Sequence, residues 1–347
     1  MRVVVATDTW HPHINGVVHT LDELARAAPS FGASIAFLTP EGLPSVPLPT
    51  YPGLRLPFAR RRTIARQIAE LRPAAIHIAT EGPIGVRVRQ YCRANGLAFT
   101  TSFHTRVPEY VAARTPIPES WTWGALRWFH RAAGGVMAAT PALEAELVSR
   151  GFANVMAWPR GVDATLFRPR PGADLGLPRP VFLTVGRLAV EKNIDAFLAL
   201  DLPGTKVVVG DGPARADLTR RFPDAVFLGV RRGEELARAY AAADVFVFPS
   251  RTDTYGLVLL EALASGVPVA AFPVCGPRDV VGNAPVAALD PDLRAACLKA
   301  LTLSREECRA FALERSWDAS TRIFLANVRR VGMAAAVAAG ATSEAMA

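Results

Sequence analysis

The sequence contains no run of about 20 apolar residues, the length that a helix needs to cross a bilayer. The alanine-rich end from Val331 to Ala347 is shorter, and Gly340 and Glu344 interrupt it. Asp8 comes too early for the apolar core of a signal peptide, so the first residues predict a strand instead. These features predict a cytoplasmic protein without a membrane-spanning helix.

Cysteine is scarce, and no pair has C-x-x-C spacing, which favours unpaired thiols over a metal site or a disulfide framework. The four cysteines are Cys92, Cys275, Cys297 and Cys308. The only D-x-D motif joins Asp290 and Asp292 at a predicted helix start, where helix capping explains it better than metal binding. The sequence therefore predicts neither a metal nor another cofactor.

Negative charge is scarce in the first half. Residues 1–170 contain 19 arginines and 11 acidic residues, whereas residues 171–347 contain 20 basic and 20 acidic residues. Arginines cluster in this half at Arg60, Arg61, Arg62, Arg87, Arg89 and Arg93. Nearby aromatic residues are Trp121, Trp123, Trp128 and Phe129. The pattern suits docking at an anionic membrane surface, or a solvated basic face above buried aromatics. No motif supports nucleic-acid binding.

Short apolar runs alternate with helical stretches in both halves, a pattern typical of parallel sheets covered by helices. Strands are predicted at 2–6, 34–39, 75–79, 98–102, 135–139, 181–185, 206–209, 225–228, 245–248 and 267–271. Helices are predicted to begin near residues 16, 63, 84 and 142. Since 347 residues exceed the usual size of one core, we expect two domains and a tail, at 1–168, 169–325 and 326–347. The proline-rich segment 168–180 is the predicted linker.

Ligands of parallel sheets bind beyond the carboxyl ends of the strands, so binding residues are expected in the loops there. After the strand 181–185, Arg187 and Lys192 lie on either side of a turn into a helix. Two cations beside a helix N-terminus could hold a diphosphate without a metal, although ordinary solvated charge gives the same pattern.

The loop after the strand 245–248 carries the most specific pattern. Asp253 and Glu261 are carboxylates separated by seven residues, the first in the loop and the second in the following helix. Backbone N–H groups of Tyr255, Gly256 and Leu257 would lie at the helix start. Carboxylates suit sugar and ribose hydroxyls, but Asp253 could also be a helix cap and Glu261 a surface charge.

Two loops of the first half end in candidate site residues. Gly16 follows the first strand at a helix start, where it would allow close approach of a phosphate, or simply form a tight turn. His104 follows the strand 98–102 and has either a catalytic or a structural role. His11 and His13 are more consistent with roles in loop structure.

Taken together, these segments resemble the retaining glycosyltransferases of family 4, and the resemblance covers nearly the whole chain. The motifs that carry it are Asn15-Gly16-Val17, Glu81-Gly82-Pro83, Phe103-His104-Thr105, Arg160-Gly161-Val162-Asp163, Gly186-Arg187-Leu188, Glu191-Lys192-Asn193, Gly210-Asp211-Gly212-Pro213 and the segment from Asp253 to Glu261.

The resemblance implies a GT-B architecture, with two Rossmann-like domains facing each other across a deep cleft. The first domain would bind the acceptor and the second the nucleotide-sugar donor, with the tail packing back towards the first. It assigns Asp253 to the donor sugar, Glu261 to the ribose and His104 to the surroundings of the anomeric carbon. The implied donor-binding residues are Gly16, Arg187, Lys192, Thr254, Tyr255, Gly256 and Leu257.

The implied reaction moves a hexose of the mannose or glucose type from GDP or UDP to a lipid-linked or saccharide acceptor, by a metal-independent front-face mechanism. An anionic membrane on its cytoplasmic side is an expected partner, and nucleic acid is not. The sequence departs from the commonest family pattern at Asp253, where glutamate is usual. A nucleotide-sugar epimerase, a phosphorylase and a non-enzymatic nucleotide-sugar binder remain alternatives.

Overall fold

The computed structural model of the protein describes residues 1–12, 15–48, 51–112, 115–253 and 255–344. The chain forms two compact units. The first consists of Met1–Pro159 and Asp318–Ala347, and the second of Arg160–Trp317. Each unit contains one six-stranded parallel sheet.

The first sheet has the strand order β2-β1-β5-β6-β7-β8, and a separate antiparallel hairpin joins β3 to β4. The strands of this unit are β1 (Arg2–Ala6), β2 (Ser34–Leu38), β3 (Ser45–Leu48), β4 (Tyr51–Pro57), β5 (Ala75–Ile78), β6 (Thr100–Ser102), β7 (Gly135–Ala138) and β8 (Val155–Ala157). The helices are α1 (Gly16–Ala27), α2 (Arg61–Leu71), α3 (Pro83–Ala94), α4 (Val107–Ala112), α5 (Glu119–His130), α6 (Pro141–Ser149) and α14 (Trp317–Glu344).

Strand β1 shows why both faces of this sheet are apolar. Val3 and Val5 point into a core shared with α1 and α14, whereas Val4 and Ala6 point into a core shared with α2 and α3. Successive side chains of a strand alternate between the two faces. A continuous run of buried residues is therefore what a central parallel strand with helices on both sides requires.

The second sheet has the strand order β11-β10-β9-β12-β13-β14. Its strands are β9 (Val181–Val185), β10 (Thr205–Val209), β11 (Val226–Gly229), β12 (Val245–Phe248), β13 (Val269–Ala271) and β14 (Ala287–Leu289). Its helices are α7 (Ile194–Leu198), α8 (Arg215–Arg221), α9 (Gly233–Ala242), α10 (Leu257–Ala264), α11 (Cys275–Val281), α12 (Leu293–Ala300) and α13 (Arg305–Leu313). Two doubly wound α/β units are therefore present, as the sequence predicts.

The prediction differs from the structure in several elements and boundaries, and it did not include helices α4 and α5 of the first unit. The prediction missed β8 and β14, which have three residues each, and the hairpin of β3 and β4, whose prolines are atypical of strands. Segment 168–180, predicted as the linker, lies wholly within the second unit, because Leu175 and Leu177 pack against its core. The units divide at 159/160 and 317/318, whereas boundaries were predicted at 168/169 and 325/326.

Among the described residues, no helix combines the length and the apolar character that crossing a bilayer would demand. The longest helix, α14, has 28 residues. Phe324, Leu325 and Val328 of α14 are buried in the core of the first unit. The apolar face of this helix therefore belongs to a protein core.

Candidate active site

The strand order of the second sheet reverses between β9 and β12. In open α/β sheets, the loops on the two sides of such a reversal diverge and leave a crevice for a ligand. The loop after β9 brings Lys192 and the loop after β12 brings Asp253 to this position. The two side chains form an ion pair with 2.6 Å between Lys192 Nζ and Asp253 Oδ1.

The backbone around Lys192 is fixed by contacts with the neighbouring loop. A turn of 3-10 helix at Val190–Lys192 ends at Asn193, which adopts the left-handed conformation with a φ of 53°. Asn193 Nδ2 donates to the carbonyl of Pro249 over 3.0 Å, and Ser250 Oγ donates to the carbonyl of Glu191 over 3.3 Å. Asn193 tolerates this conformation better than most residues, and its amide joins the two loops that carry the ion pair.

Asp253 keeps one oxygen available. Oδ1 accepts from Lys192, whereas Oδ2 is buried and, within the described part of the chain, accepts no hydrogen bond. The main chain of Asp253 is packed against α11, since a Cβ built on Gly276 would lie 2.6 Å from the Asp253 carbonyl oxygen. Gly276 therefore permits the close packing that holds this carboxylate in place, and sequence reasoning did not identify it.

Helix α10 begins directly after this loop. Gly256 precedes it with a φ of 81°, and a Cβ at this position would lie 3.0 Å from the Phe248 ring. Glycine is thus required both for the conformation and for the space. The first N–H groups of a helix have no partner within the helix, so Leu257 begins a terminus that favours anions. Thr254 lies outside the described residues.

Tyr255 is half-buried beside Arg160, which is 5% exposed. Burial raises the pKa of the Tyr255 hydroxyl, and the nearby charges of Arg160 and Arg315 lower it. Burial also lowers the pKa of Arg160 to about 10. Arg160 belongs to one of the quoted motifs, and its charge acts on the hydroxyl of Tyr255 in the loop before α10.

Glu261 lies in α10 and is 9% exposed. The hydroxyl of the fully buried Tyr240 donates to Glu261 Oε2 over 2.8 Å. Burial first, and the charge of Glu261 second, raise the pKa of Tyr240 well above its ordinary value, so the hydroxyl remains a donor. Glu261 is therefore not a surface charge, and Tyr240 of α9 fixes its orientation.

Replacing Tyr240 by phenylalanine removes the buried hydrogen bond to Glu261 Oε2. We expect Tyr240→Phe to lower the free energy of unfolding by about 1 to 3 kcal/mol. If Glu261 binds the ribose of a nucleotide-sugar donor, as the resemblance implies, the donor KM should also rise by about three- to tenfold, since a less rigidly held carboxylate binds less well. Urea unfolding and initial rates would measure both effects. Tyr91→Phe, a change in the first unit, is the matched control and should leave donor KM unchanged.

The remaining second-unit loops are packed closely. A Cβ built on Gly210 would lie 1.9 Å from the carbonyl oxygen of Gly186, so the ends of β9 and β10 touch through two glycines. The next residue, Arg187, is exposed at this edge of the sheet. Asp290 and Asp292 are used locally, because Asp292 accepts from the Arg294 N–H and Asp290 from the Asp292 N–H. The D-x-D motif is thus a helix cap, as predicted.

In the first unit, the carboxyl ends of β1, β5 and β6 are adjacent. Asn15 caps α1 by accepting hydrogen bonds from the N–H groups of Val17 and Val18, both at 3.0 Å. The next residue, Gly16, is exposed at the first turn of this helix. Asn15 Nδ2 also donates to Thr9 Oγ1 over 2.9 Å, which closes the loop. The predicted helix start is therefore confirmed, whereas His13 lies outside the described residues.

Asp8 joins the loop after β1 to the loop after β5. Its carboxylate accepts from the Ile84 N–H at 2.6 Å, from Thr80 Oγ1 at 2.9 Å and from the Gly85 N–H at 3.3 Å. A Cβ on Gly82 would lie 2.5 Å from the Asp8 carboxyl carbon, which explains the glycine of the Glu81-Gly82-Pro83 motif. The pKa of Asp8 is raised to about 6, because the effect of burial exceeds the opposing effect of the three hydrogen bonds.

This shift predicts a pH dependence of stability. The folded state holds the Asp8 proton up to about pH 6, whereas the ordinary pKa is 3.8. The folded state therefore binds more protons in this window, and its stability falls as the pH rises through it. Asp8→Asn should remove this component, so the free energy of unfolding of the variant should rise relative to wild type between pH 4 and about 7. Urea unfolding at several pH values would measure the difference, and a constant difference would contradict the assignment.

His104 follows β6 and is half-buried. Its ring meets the indole of Trp158 edge-on, with 5.7 Å between the ring centroids and an interplanar angle of 70°. Trp158 is 1% exposed, and its Nε1 donates to Ser320 Oγ of α14 over 3.1 Å. A rigid wall thus orients His104 at the carboxyl edge of the sheet. His11 is not held in this way, because its side chain is exposed and its Nε2 lies 3.1 Å from Asp22 Oδ1.

These observations coincide with matches to known protein families. Residues 14–166 match the family described as "Glycosyltransferase Family 4", and residues 179–303 match "Glycosyl transferases group 1". A GDP-mannose-dependent alpha-mannosyltransferase of Mycobacterium tuberculosis is 33% identical over 309 residues, covering 81% of each chain. The chain belongs to glycosyltransferase family 4. This family 4 glycosyltransferase is therefore an enzyme of the hexosyltransferase class.

Other similar proteins extend the family assignment. The sulfoquinovosyl transferase SQD2 of Arabidopsis thaliana is 34% identical over 260 residues, which cover 69% of this chain and 50% of that protein. The family 4 chain thus spans about half the length of this plant relative. The structure of a sucrose-phosphate synthase from Thermosynechococcus elongatus matches with a TM-score of 0.79 and 21% identity, covering 96% of this chain and 99% of that chain. This likeness identifies the fold as GT-B.

Proposed function

We propose that the protein transfers mannose from GDP-mannose to a lipid-linked or saccharide acceptor, with retention of configuration and without a metal. Asp253 would contact the hexose, Glu261 the ribose, and Lys192 with Arg187 the diphosphate. Gly16, Tyr255, Gly256 and Leu257 would contribute backbone contacts. The mycobacterial relative supports GDP-mannose as the donor, because its name specifies GDP-mannose and it matches most of the chain.

The observation that carries this proposal is the paired arrangement of Lys192 and Asp253. The ammonium group holds one carboxylate oxygen at 2.6 Å, and the second oxygen is buried without a hydrogen bond among the described residues. A buried carboxylate oxygen favours a hydroxyl donor as its partner. A hexose hydroxyl supplies one, while the ammonium group beside it attracts the diphosphate.

A metal would be unnecessary if the protein itself stabilises the leaving diphosphate. Lys192, Arg187 and the N-terminus of α10 supply positive charge at one edge of the second sheet. Fixed charges of this kind act where negative charge develops in the transition state. In the proposed front-face reaction, the acceptor oxygen bonds to the anomeric carbon as the phosphate oxygen leaves. That phosphate oxygen accepts the acceptor's proton.

The test is a thermal-shift comparison of GDP, UDP and ADP in the presence of chelator. We expect GDP to stabilise the protein selectively, by about 2.7 kcal/mol at a concentration 100 times its Kd. Lys192→Gln should reduce this stabilisation, whereas Lys299→Gln should not, because Lys299 lies at the end of α12. Stabilisation only after addition of a divalent metal would contradict metal independence, and selectivity for UDP would contradict the GDP donor.

We also propose that the first unit binds an anionic membrane while the protein glycosylates a lipid-linked acceptor. Helix α5 buries Trp123 and Phe129 in the core, so these two aromatics are structural. Trp121 and Trp128 lie seven residues apart, on one face of α5, and are 74% and 47% exposed. Exposed tryptophans beside arginines suit a membrane interface. Sedimentation with anionic vesicles should decrease in the Trp121→Ala/Trp128→Ala variant, and an unchanged fraction would contradict this surface.

A further inference from the structure

A cavity of about 360 Å³ opens at the amino-terminal edge of the first sheet. It is formed where α3 and α5 end, next to the residues that lead into β6 and β7. The basic side chains lining it are Arg89, Arg93 and Arg131. His104 follows the carboxyl end of β6, so this cavity lies at the opposite edge of the sheet from the candidate active site.

Arg89 is held rigidly in the cavity wall. The residue is 2% exposed, and its Nε and Nη2 donate to the carbonyls of Phe129 and Trp128, each over 2.8 Å. The guanidinium carbon also lies 4.0 Å from the centre of the Trp128 ring. Arg89 therefore caps the end of α5, but the neutral carbonyl groups and the indole do not cancel its positive charge.

The other two arginines add to this charge. Arg93 lies four residues after Arg89, on the same face of α3, and Arg131 follows the last residue of α5. Burial lowers the pKa of Arg89, and the charges of Arg93 and Arg131 lower it further, so all three act on one region. Within the described ranges, none of the three forms an ion pair. Like charges four residues apart on a helix repel each other, and an anion bound between them would relieve this repulsion.

We infer that this cavity is a second anion site, which binds a phosphate monoester. Guanidinium groups present N–H donors in a planar fork that matches phosphate oxygens. Arg89 is pre-oriented by its carbonyl contacts, whereas Arg93 and Arg131 are exposed and can turn towards the ligand. Leu97, 41% exposed, adds an apolar rim for the remainder of the ligand.

The phosphate could come from an anionic lipid headgroup or from a soluble sugar phosphate. Neither source depends on the proposed GDP-mannose transfer, since the residues that line the cavity belong to the first unit, whereas Arg187 and Lys192 belong to the second. Glycerol 3-phosphate and phosphatidic acid carry the same phosphate monoester in soluble and membrane-bound form. They are therefore suitable probes for distinguishing the two sources.

The test measures binding of both probes by calorimetry, with vesicles of phosphatidylcholine and phosphatidic acid as the lipid form. We expect Arg93→Gln/Arg131→Gln to weaken binding by at least about tenfold, since two charge-assisted contacts are lost. Both side chains are exposed, so the variant should fold, and its Tm would verify this. The charge-matched control Arg61→Gln/Arg62→Gln alters α2 and should leave binding within about twofold of wild type.

A second control separates this site from the donor site. Lys192→Gln should leave glycerol 3-phosphate binding within about twofold, because Lys192 lies in the other unit. Tighter binding of the vesicles would identify a lipid headgroup, and tighter binding of the soluble ester a metabolite; either supports the site. The inference is overturned if wild type binds neither probe, if both arginine pairs lower affinity equally, or if the loss occurs only in Lys192→Gln.

Discussion

Asp253→Asn is expected to lower kcat/KM for the donor by about 100- to 1000-fold, while the Kd of free GDP changes by less than about threefold. The change keeps the shape of the side chain and removes its charge. The ion pair with Lys192 is weakened, and the buried acceptor oxygen is no longer a carboxylate. Lys192 remains available to the diphosphate, so the loss should affect the sugar rather than the nucleotide.

The measurement pairs steady-state kinetics with calorimetric titration of GDP. Asp217→Asn is a matched control in the same unit, because Asp217 lies on α8 and makes only surface contacts with Arg220 and Arg221 among the described residues. Its kcat/KM should stay within about twofold of wild type. A parallel loss of GDP affinity and kcat/KM in Asp253→Asn would instead place Asp253 at the nucleotide, contradicting its assignment to the hexose.

Part of this site could be predicted from the sequence, because its charged residues lie in the loops directly after two strands with a clear apolar pattern. The residues of β9 and β12 are almost wholly buried. A nearly continuous apolar run of this kind is typical of a parallel strand that helices cover on both faces. The loops that follow such strands meet at one edge of the sheet. Lys192 and Asp253 could therefore be selected from their positions. Their direct ion pair could not, because it depends on how two turns pack.

The supporting residues were less predictable for a related reason. Tyr240 and Gly276 occupy positions in α9 and α11 that are typical of any helix packed against a sheet. Nothing in their local sequence indicates that one donates to Glu261 or that the other approaches the Asp253 main chain. Asp8 presents the same difficulty, since it caps α3, a helix that begins far along the chain. Such contacts are set by tertiary packing.

The roles of the individual arginines in the first unit could not be predicted from composition. Its charge suggested one basic face, but the arginines have different roles. Arg89 is buried and caps a helix, Arg106 is paired with Glu109 and Glu146, and Arg131 is exposed. Net charge reports the field of a domain, whereas the function of each arginine depends on its partners.

His104→Ala is expected to lower kcat by about 100-fold, with the donor KM changing less than about threefold. The histidine lies at the carboxyl edge of the first sheet, with its ring fixed against Trp158. In the proposed reaction it stabilises charge that develops near the anomeric carbon. An interaction that strengthens only in the transition state affects kcat rather than KM.

Steady-state kinetics at saturating acceptor would measure this effect, and the Tm would show whether the variant folds. His11→Ala is the matched control, since His11 is exposed and follows a different strand; its kcat should stay within about twofold. A raised donor KM with an unchanged kcat would make His104 a binding residue. Trapping of a glycosyl group on His104 by a slow donor analogue would make it a nucleophile. Since a front-face reaction forms no covalent enzyme intermediate, that result would overturn the proposed mechanism while leaving the enzyme class intact.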